Sequence, residues 1–342
     1  MPVRHRMPYD EPIDGDNKFL LNRTASGLFT LKPNITTQPC LFCGDNEFHK
    51  VLQPRWNSLQ PDDYLIENVL REEFELTMRS HPLYRLFAEG IPTRRRPVRI
   101  INPFGNAMAY GFPSPMLPLT SSLEVATFMA THRRDERTGT WTAIEEHDSH
   151  GNVNVGVLYV LDLALPFPMM LGLSCIGMQA FERPGRQKLF GLNIENGRNF
   201  NELRFVYGFQ FRQRPEEVRA LEDRLVNGEW LTPHELIAQK ANDILTTRCV
   251  SEAAFELNCY NNPRQNHEEN RRRLERAGIE IVQNAGHFYS EEELNREFYP
   301  VAEERWDEMF SSVIAVHPGF DSLLADIRKF PTTEEGRKFF RK

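Results

Sequence analysis

The hydroxyls of Thr120, Ser121 and Ser122 stand directly ahead of a run, 123–130, whose apolar members Leu123, Ala126, Phe128 and Ala130 mark an amphipathic helix. A serine oxygen at 121 or 122 can accept from a backbone N–H two or three residues on, and Glu124 falls in the first turn, where negative charge is favoured. A helix start of this kind can also hold the anionic group of a ligand. Cys40-x-x-Cys43 offers a thiol pair. With no second pair at zinc spacing and only His49 as a third ligand, it reads as structural or inert. Glu145, Glu146, His147, Asp148 and His150 set carboxylates beside a His-x-x-His. That spacing suits a helix face, whereas the local signal is a hairpin tip, so no metal is assigned. Arg94, Arg95 and Arg96 form a basic loop cluster, read as a solvated turn ahead of a phosphate or nucleic-acid contact. The stretch from Glu182 to Gln187 is a charged pause between two apolar pieces, either a plain loop or a place where a site residue is presented. There is no Gly-x-Ser-x-Gly elbow, Walker loop, Gly-x-Gly-x-x-Gly or His-Glu-x-x-His.

Such groups need elements to hold them, and 342 residues are enough for one large domain or two ordinary ones. Residues 1–38, rich in Pro, Asp and Asn, read as an irregular arm. A short strand at 40–44 ends on glycine. Leu65, Val69, Leu70, Phe74 and Met78 recur at helical spacing over 62–80, and Pro82 stops that helix. A tight turn at Tyr110 and Gly111 leads through Pro113 and Pro115 to the hydroxyl trio. Strands are expected at 139–144, 153–163 and 200–211, with a polar turn at 148–152. The apolar and aromatic residues of 167–178 read as core.

From Pro215 the pattern becomes helical, at 216–226, 233–245, 252–259 and 268–277. Pro233 behind Thr232 is a start signal and Gly278 a stop. Arg271, Arg272 and Arg273 share the last of these helices with Glu268, Glu269 and Glu275, which makes i,i+4 pairing the simple account. The expected organisation is an arm at 1–38, a strand-rich α+β domain at 39–212 and a mostly helical region at 213–342.

A formal net charge of −7 argues against a protein built to coat nucleic acid. The start, MPVRHRMPYDEP, has no apolar core of a secretory signal. The longest apolar run, 155–173, is broken by Asp162, Pro166 and Pro168, so no membrane crossing is expected. Five cysteines without a framework fit a reducing compartment, and a cytoplasmic location is the expectation.

Residues 40–195 resemble the FRG-domain proteins. The resemblance rests on Phe42-Cys43-Gly44 with Leu52-Gln53-Pro54 and on the block from Ala109 through Tyr110, Gly111, Pro113, Leu117 and Thr120. Val125-Ala126-Thr127-Phe128-Met129-Ala130 follows, with a strand at 155–161 and Gln187-Lys188-Leu189-Phe190 in place of the family's Gln motif. The chain departs from the pattern at Cys43, where the family has Arg, at Ala109 for His, Pro118 for Asp and Leu119 for Trp.

The FRG pattern is in turn similar to arginine-type ADP-ribosyltransferases. That likeness implies an α+β fold with a pair of small sheets around a cleft for NAD, backed by a helical C-terminal region. It would give NAD, as substrate, contacts with Phe42, Cys43, Gly44, Tyr110, Thr120 and Ser121, and it would make Glu182 and Gln187 the catalytic pair. Two functions follow as expectations. One is an ADP-ribosyltransferase-like enzyme, of toxin or defence type, acting on a protein or nucleic-acid target. The other is a catalytically silent module that binds a nucleotide or a partner with the same fold, which the missing Arg, His and Asp favour.

Overall fold

A computed structural model gives the fold. It describes residues 19–23, 29–33, 40–92, 101–135, 139–163, 172–177, 180–194, 198–203, 206–302, 306 and 326–340. The arginine cluster at 94–96, most of the arm at 1–38 and half of the apolar stretch at 167–178 (167–171 and 178) lie outside the described residues.

β1 (Phe19–Arg23) and β2 (Phe29–Pro33) pair antiparallel, and β3 (Cys40–Asp45) follows them. α1 (Pro61–Arg79) opens on proline, whose missing N–H would have had no partner there, with Asp62 and Asp63 in its first turn. Its stripe of Leu65, Val69, Leu70, Phe74 and Met78 is buried, as the spacing predicts. Pro82 ends α1 and at once opens α2 (Pro82–Glu89), which the sequence spacing does not signal. α3 (Pro103–Ala109) is capped by Asn102, which accepts from the Gly105 N–H. β4 (Met116–Thr120) runs into α4 (Leu123–Thr131), and Ser122 caps α4 by accepting from the Val125 N–H at 3.3 Å.

β5 (His132–Arg134) pairs with β6 (Trp141–Ala143), so the 139–144 run folds back on β5 and not onto β7 (Val155–Asp162). One bridge, His147 to Val153, closes the polar turn. β8 (Leu173–Cys175), α5 (Glu182–Arg186) and β9 (Leu189–Asn193) come next. β10 (Val206–Arg212) is shorter than the expected strand because Asn199 starts a 3-10 turn at Phe200–Glu202. The remainder is α6 (Pro215–Leu225), α7 (Leu236–Thr247), β11 (Cys249–Ser251), α8 (Glu252–Asn261), α9 (His267–Arg276), β12 (Glu280–Val282), α10 (Glu291–Glu297) and α11 (Glu334–Phe340).

The chain divides into two compact units. The first takes Met1–Gln53, Leu117–Cys175 and Arg186–Pro233. It holds a six-stranded sheet in the order β10-β7-β3-β4-β9-β8. The pairings β10–β7, β7–β3, β3–β4 and β9–β8 are antiparallel. α4 lies on this sheet, where Phe42, Ala126 and Val160 form one core cluster. The other side of α4 meets α6 and the turn after it through Val125, Phe128, Leu221, Leu225 and Leu231. Each large apolar side chain so buried contributes about 1.5–3 kcal/mol.

The second unit takes Pro54–Met116, Ile176–Gly185 and His234–Lys342. α1 is its axis, in contact with α2, α3, α7, α8 and α9. β11 and β12 form a short parallel pair within it. The architecture is mixed α+β, with a six-stranded antiparallel sheet in the first unit and two-stranded sheets elsewhere among the described residues. No helix among the described residues is long and apolar enough to cross a membrane.

Candidate functional site

In the first unit, β3 presents Phe42, Cys43 and Gly44. Side chains alternate along a strand, so Phe42 and Gly44 face one way and Cys43 the other. Phe42 is buried against Ala126 and Val160. Gly44 lies directly under α4, and a Cβ there would overlap the Ala126 carbonyl. The glycine is therefore required by helix–sheet packing, whatever else it does. Burial pushes the Cys43 thiol up to about 12, with Asp45 adding to the effect. Burial and Asp162 do the same to Cys40. Three positions apart on one strand, the two thiols point to opposite faces, and all five cysteines are unbridged.

The hydroxyl trio divides its work. Thr120 donates to the Gln187 carbonyl at 2.7 Å and accepts from the Ser122 N–H at 3.0 Å. It thus ties the end of β4 to the segment before β9. Ser122 is the helix cap. Ser121 bonds through its backbone N–H to the Lys188 carbonyl, while its hydroxyl oxygen is buried without a partner. The Gln187 side-chain amide donates to the Leu231 carbonyl at 3.1 Å. Phe42, Cys43, Gly44, Thr120, Ser121 and Gln187 all belong to the first unit.

Tyr110 and Glu182 belong to the second unit, where a buried acid absent from the sequence expectations joins them. Glu235 accepts from the Tyr110 hydroxyl at 2.8 Å and from the Glu182 backbone N–H at 2.6 Å. The Arg183 guanidinium lies 4.6 Å from the Tyr110 ring centroid and donates to the Ala109 carbonyl at 3.3 Å. Burial drives the Glu235 carboxyl above the usual glutamate range, opposed by Tyr110, Arg183 and the Glu182 N–H. Burial likewise drives the Tyr110 phenol well up, so it stays protonated as a donor. Glu182 itself is half-buried at the start of α5. The Thr232-Pro233 signal predicts a helix from 233, which would put Glu235 in a first turn. α7 begins only at Leu236, and Glu235, just outside it, carries an extended backbone.

A second buried acid, Glu73 on α1, accepts from the Ser251 N–H at 2.7 Å and the Ser251 hydroxyl at 2.6 Å. It lies 3.0 Å from His287 Nδ1. A nucleophilic triad places the imidazole between acid and hydroxyl. Here the acid stands in the middle, and the Ser251 oxygen also caps α8 through the Ala254 N–H. The cluster fastens β11 and the 287 loop to α1. At the polar turn, His147 pairs in the backbone bridge to Val153 and the His150 N–H donates to Asp148. Among the described residues no three His, Cys, Asp or Glu side chains gather as a metal site.

No model of a known protein family, no curated protein and no solved structure matches this chain.

Proposed function

We propose that this chain is a catalytically silent, FRG-like α+β module that binds a nucleotide or a protein partner and does not turn NAD over. Breaking the nicotinamide–ribose bond builds positive charge on the ribose, which a carboxylate must offset while fixed donors hold the pyrophosphate. The observation that carries the proposal is Cys43. At the position of the family's arginine stands a half-buried thiol with its pKa pushed up to about 12, neutral at physiological pH, where a guanidinium would offer two parallel donors. Thr120 and Gln187 support it, since the hydroxyl of one and the amide of the other are spent on backbone carbonyls.

A second reading, an ADP-ribosyltransferase-like enzyme with Glu182 facing the ribose, draws on one feature. Glu182 is half-buried, and its backbone is pinned by Glu235. The deciding experiment incubates the full chain with NAD and follows both binding and nicotinamide release. Saturable binding without release supports the silent module. Release that Glu182→Gln abolishes overturns it in favour of the enzyme. NAD neither bound nor cleaved, with no thermal shift by any other nucleotide, leaves a protein as the partner.

A further inference from the structure

We propose that His132 makes the joint between α4 and α6 acid-sensitive, so that a proton taken up by its buried ring loosens α6 from α4. The device lies wholly within the first unit and needs no ligand, so it stands apart from the function proposed above.

His132 follows α4 directly and opens β5. Its ring is 2 % exposed and lies flat on Phe128, with centroids 3.8 Å apart and planes within 11° of parallel. Phe128 belongs in turn to the cluster that α4 shares with Leu221 and Leu225 of α6. Both ring nitrogens face acceptors. Nδ1 stands 3.1 Å from the Phe128 carbonyl oxygen and 2.9 Å from the Thr131 hydroxyl, which itself donates to the Thr127 carbonyl. Nε2 stands 3.5 Å from Glu222 Oε1 on α6, too long for a good hydrogen bond, and is otherwise without a partner. A neutral imidazole carries one N–H. With that proton on Nδ1, the Nε2 lone pair is turned on the Glu222 carboxylate; with it on Nε2, the Nδ1 lone pair is turned on the Phe128 carbonyl. Only the imidazolium offers a proton on both sides.

Burial works against that charge. Among the described residues, α6 sets Glu222 against the ring, and its Arg224 is bound to Glu124 of α4. β6 pairs Ala143 with His132 and brings the uncharged Trp141 and Thr142. On β5 itself Arg133 is exposed and Arg134 half-buried. Burial outweighs the pull of the Phe128 carbonyl and Glu222 and holds the imidazole below the ordinary histidine range. A histidine of this kind binds its proton more tightly when unfolded. Its contribution to stability is complete above the unfolded pKa and drains away as pH falls through that value towards the folded one. The structure also says which element gives. α4 is held to the sheet through Ala126, Phe42 and Val160, whereas the Glu222 side chain on α6 is 27 % exposed. An outward shift of α6 therefore admits water to Nε2 with the least loss of packing.

The test follows amide hydrogen exchange of α6 in the full chain at about pH 7.5 and about pH 5.5, corrected for the intrinsic rates. Protection should fall between the two by up to about tenfold, the limit set by the ordinary histidine pKa. His132→Phe, which keeps an aromatic ring on Phe128 and cannot titrate, should show no such fall. Residue-assigned NMR should find the wild-type His132 ring titrating below the ordinary histidine range. Glu222→Gln, at a half-buried position, should move that midpoint further down by removing the opposing carboxylate, and this reading stands even where His132→Phe folds poorly. Four results overturn the proposal: α6 protection that is the same at both pH values, an equal fall in His132→Phe, a His132 midpoint at or above the ordinary range, or a midpoint that Glu222→Gln leaves in place.

Discussion

The Tyr110 hydroxyl and Glu235 Oε2 stand 2.8 Å apart across 125 positions of sequence. The other oxygen of Glu235 holds the Glu182 N–H at 2.6 Å, so one buried carboxylate joins three separate segments of the second unit. Burial raises its pKa despite those bonds. A carboxyl whose folded pKa exceeds its unfolded one binds its proton more tightly when native. Its contribution to stability is complete below the unfolded pKa and is lost as pH rises through the folded pKa. Glu235→Gln, uncharged throughout, should escape that loss. Plotted against pH, the variant's unfolding free energy should gain on wild type through the range just above the ordinary glutamate pKa. Parallel profiles in urea melts would refute the account.

Glu73 gives a larger and less pH-specific prediction. Glu73→Ala orphans the Ser251 N–H and hydroxyl and removes the partner of His287, so it should cost on the order of 3 kcal/mol. Removing Glu269, whose partner Arg276 is exposed, should barely move the denaturation midpoint. Equal effects of the two substitutions would show that the buried cluster has no special weight.

Ser122→Ala should destabilise by about 1 kcal/mol through loss of the α4 cap, and Ser122→Asp should recover most of it. A neutral alanine variant in chemical denaturation would mean that the 3.3 Å contact to Val125 does not matter in solution.

Gly44→Ala puts a methyl group into the Ala126 carbonyl and should cost upward of about 3 kcal/mol, enough to reduce soluble yield. Gly151→Ala meets open space and pays only for a positive φ of 80°, about 1–2 kcal/mol. Comparable melting temperatures for the two variants would sink the close-approach account of Gly44.

With thiols pushed up to about 12, Cys40 and Cys43 should resist iodoacetamide at neutral pH in the native protein and react freely once it is unfolded. Peptide mapping that finds Cys43 labelled quickly in the native state would remove the main support for a chemically inert site.

Local features of the fold were readable in the sequence. The α1 stripe, the Ser122 cap, the turn at Gly111 and the four helices after Pro215 depend on residues within a few positions of one another. Dual signals were not readable: Pro82 closes one helix and opens the next, and Thr232-Pro233 starts no helix because α7 waits until Leu236. The buried clusters were the least visible part. Ser251 and His287 lie 178 and 214 positions from Glu73, and no periodicity links residues so far apart.

The interleaving of the two units also bears on how the polypeptide is made. β3 leaves the ribosome early, but its sheet neighbour β7 lies beyond the whole 54–116 insertion, and β10 ends only at Arg212. At ordinary elongation speed the nascent β3 waits on the order of ten seconds for its neighbours, with its hydrogen-bonding edge open to chaperones or to other nascent chains. No single cut in the gene can release either unit as one continuous fragment, and libraries of truncations should yield soluble product only near full length.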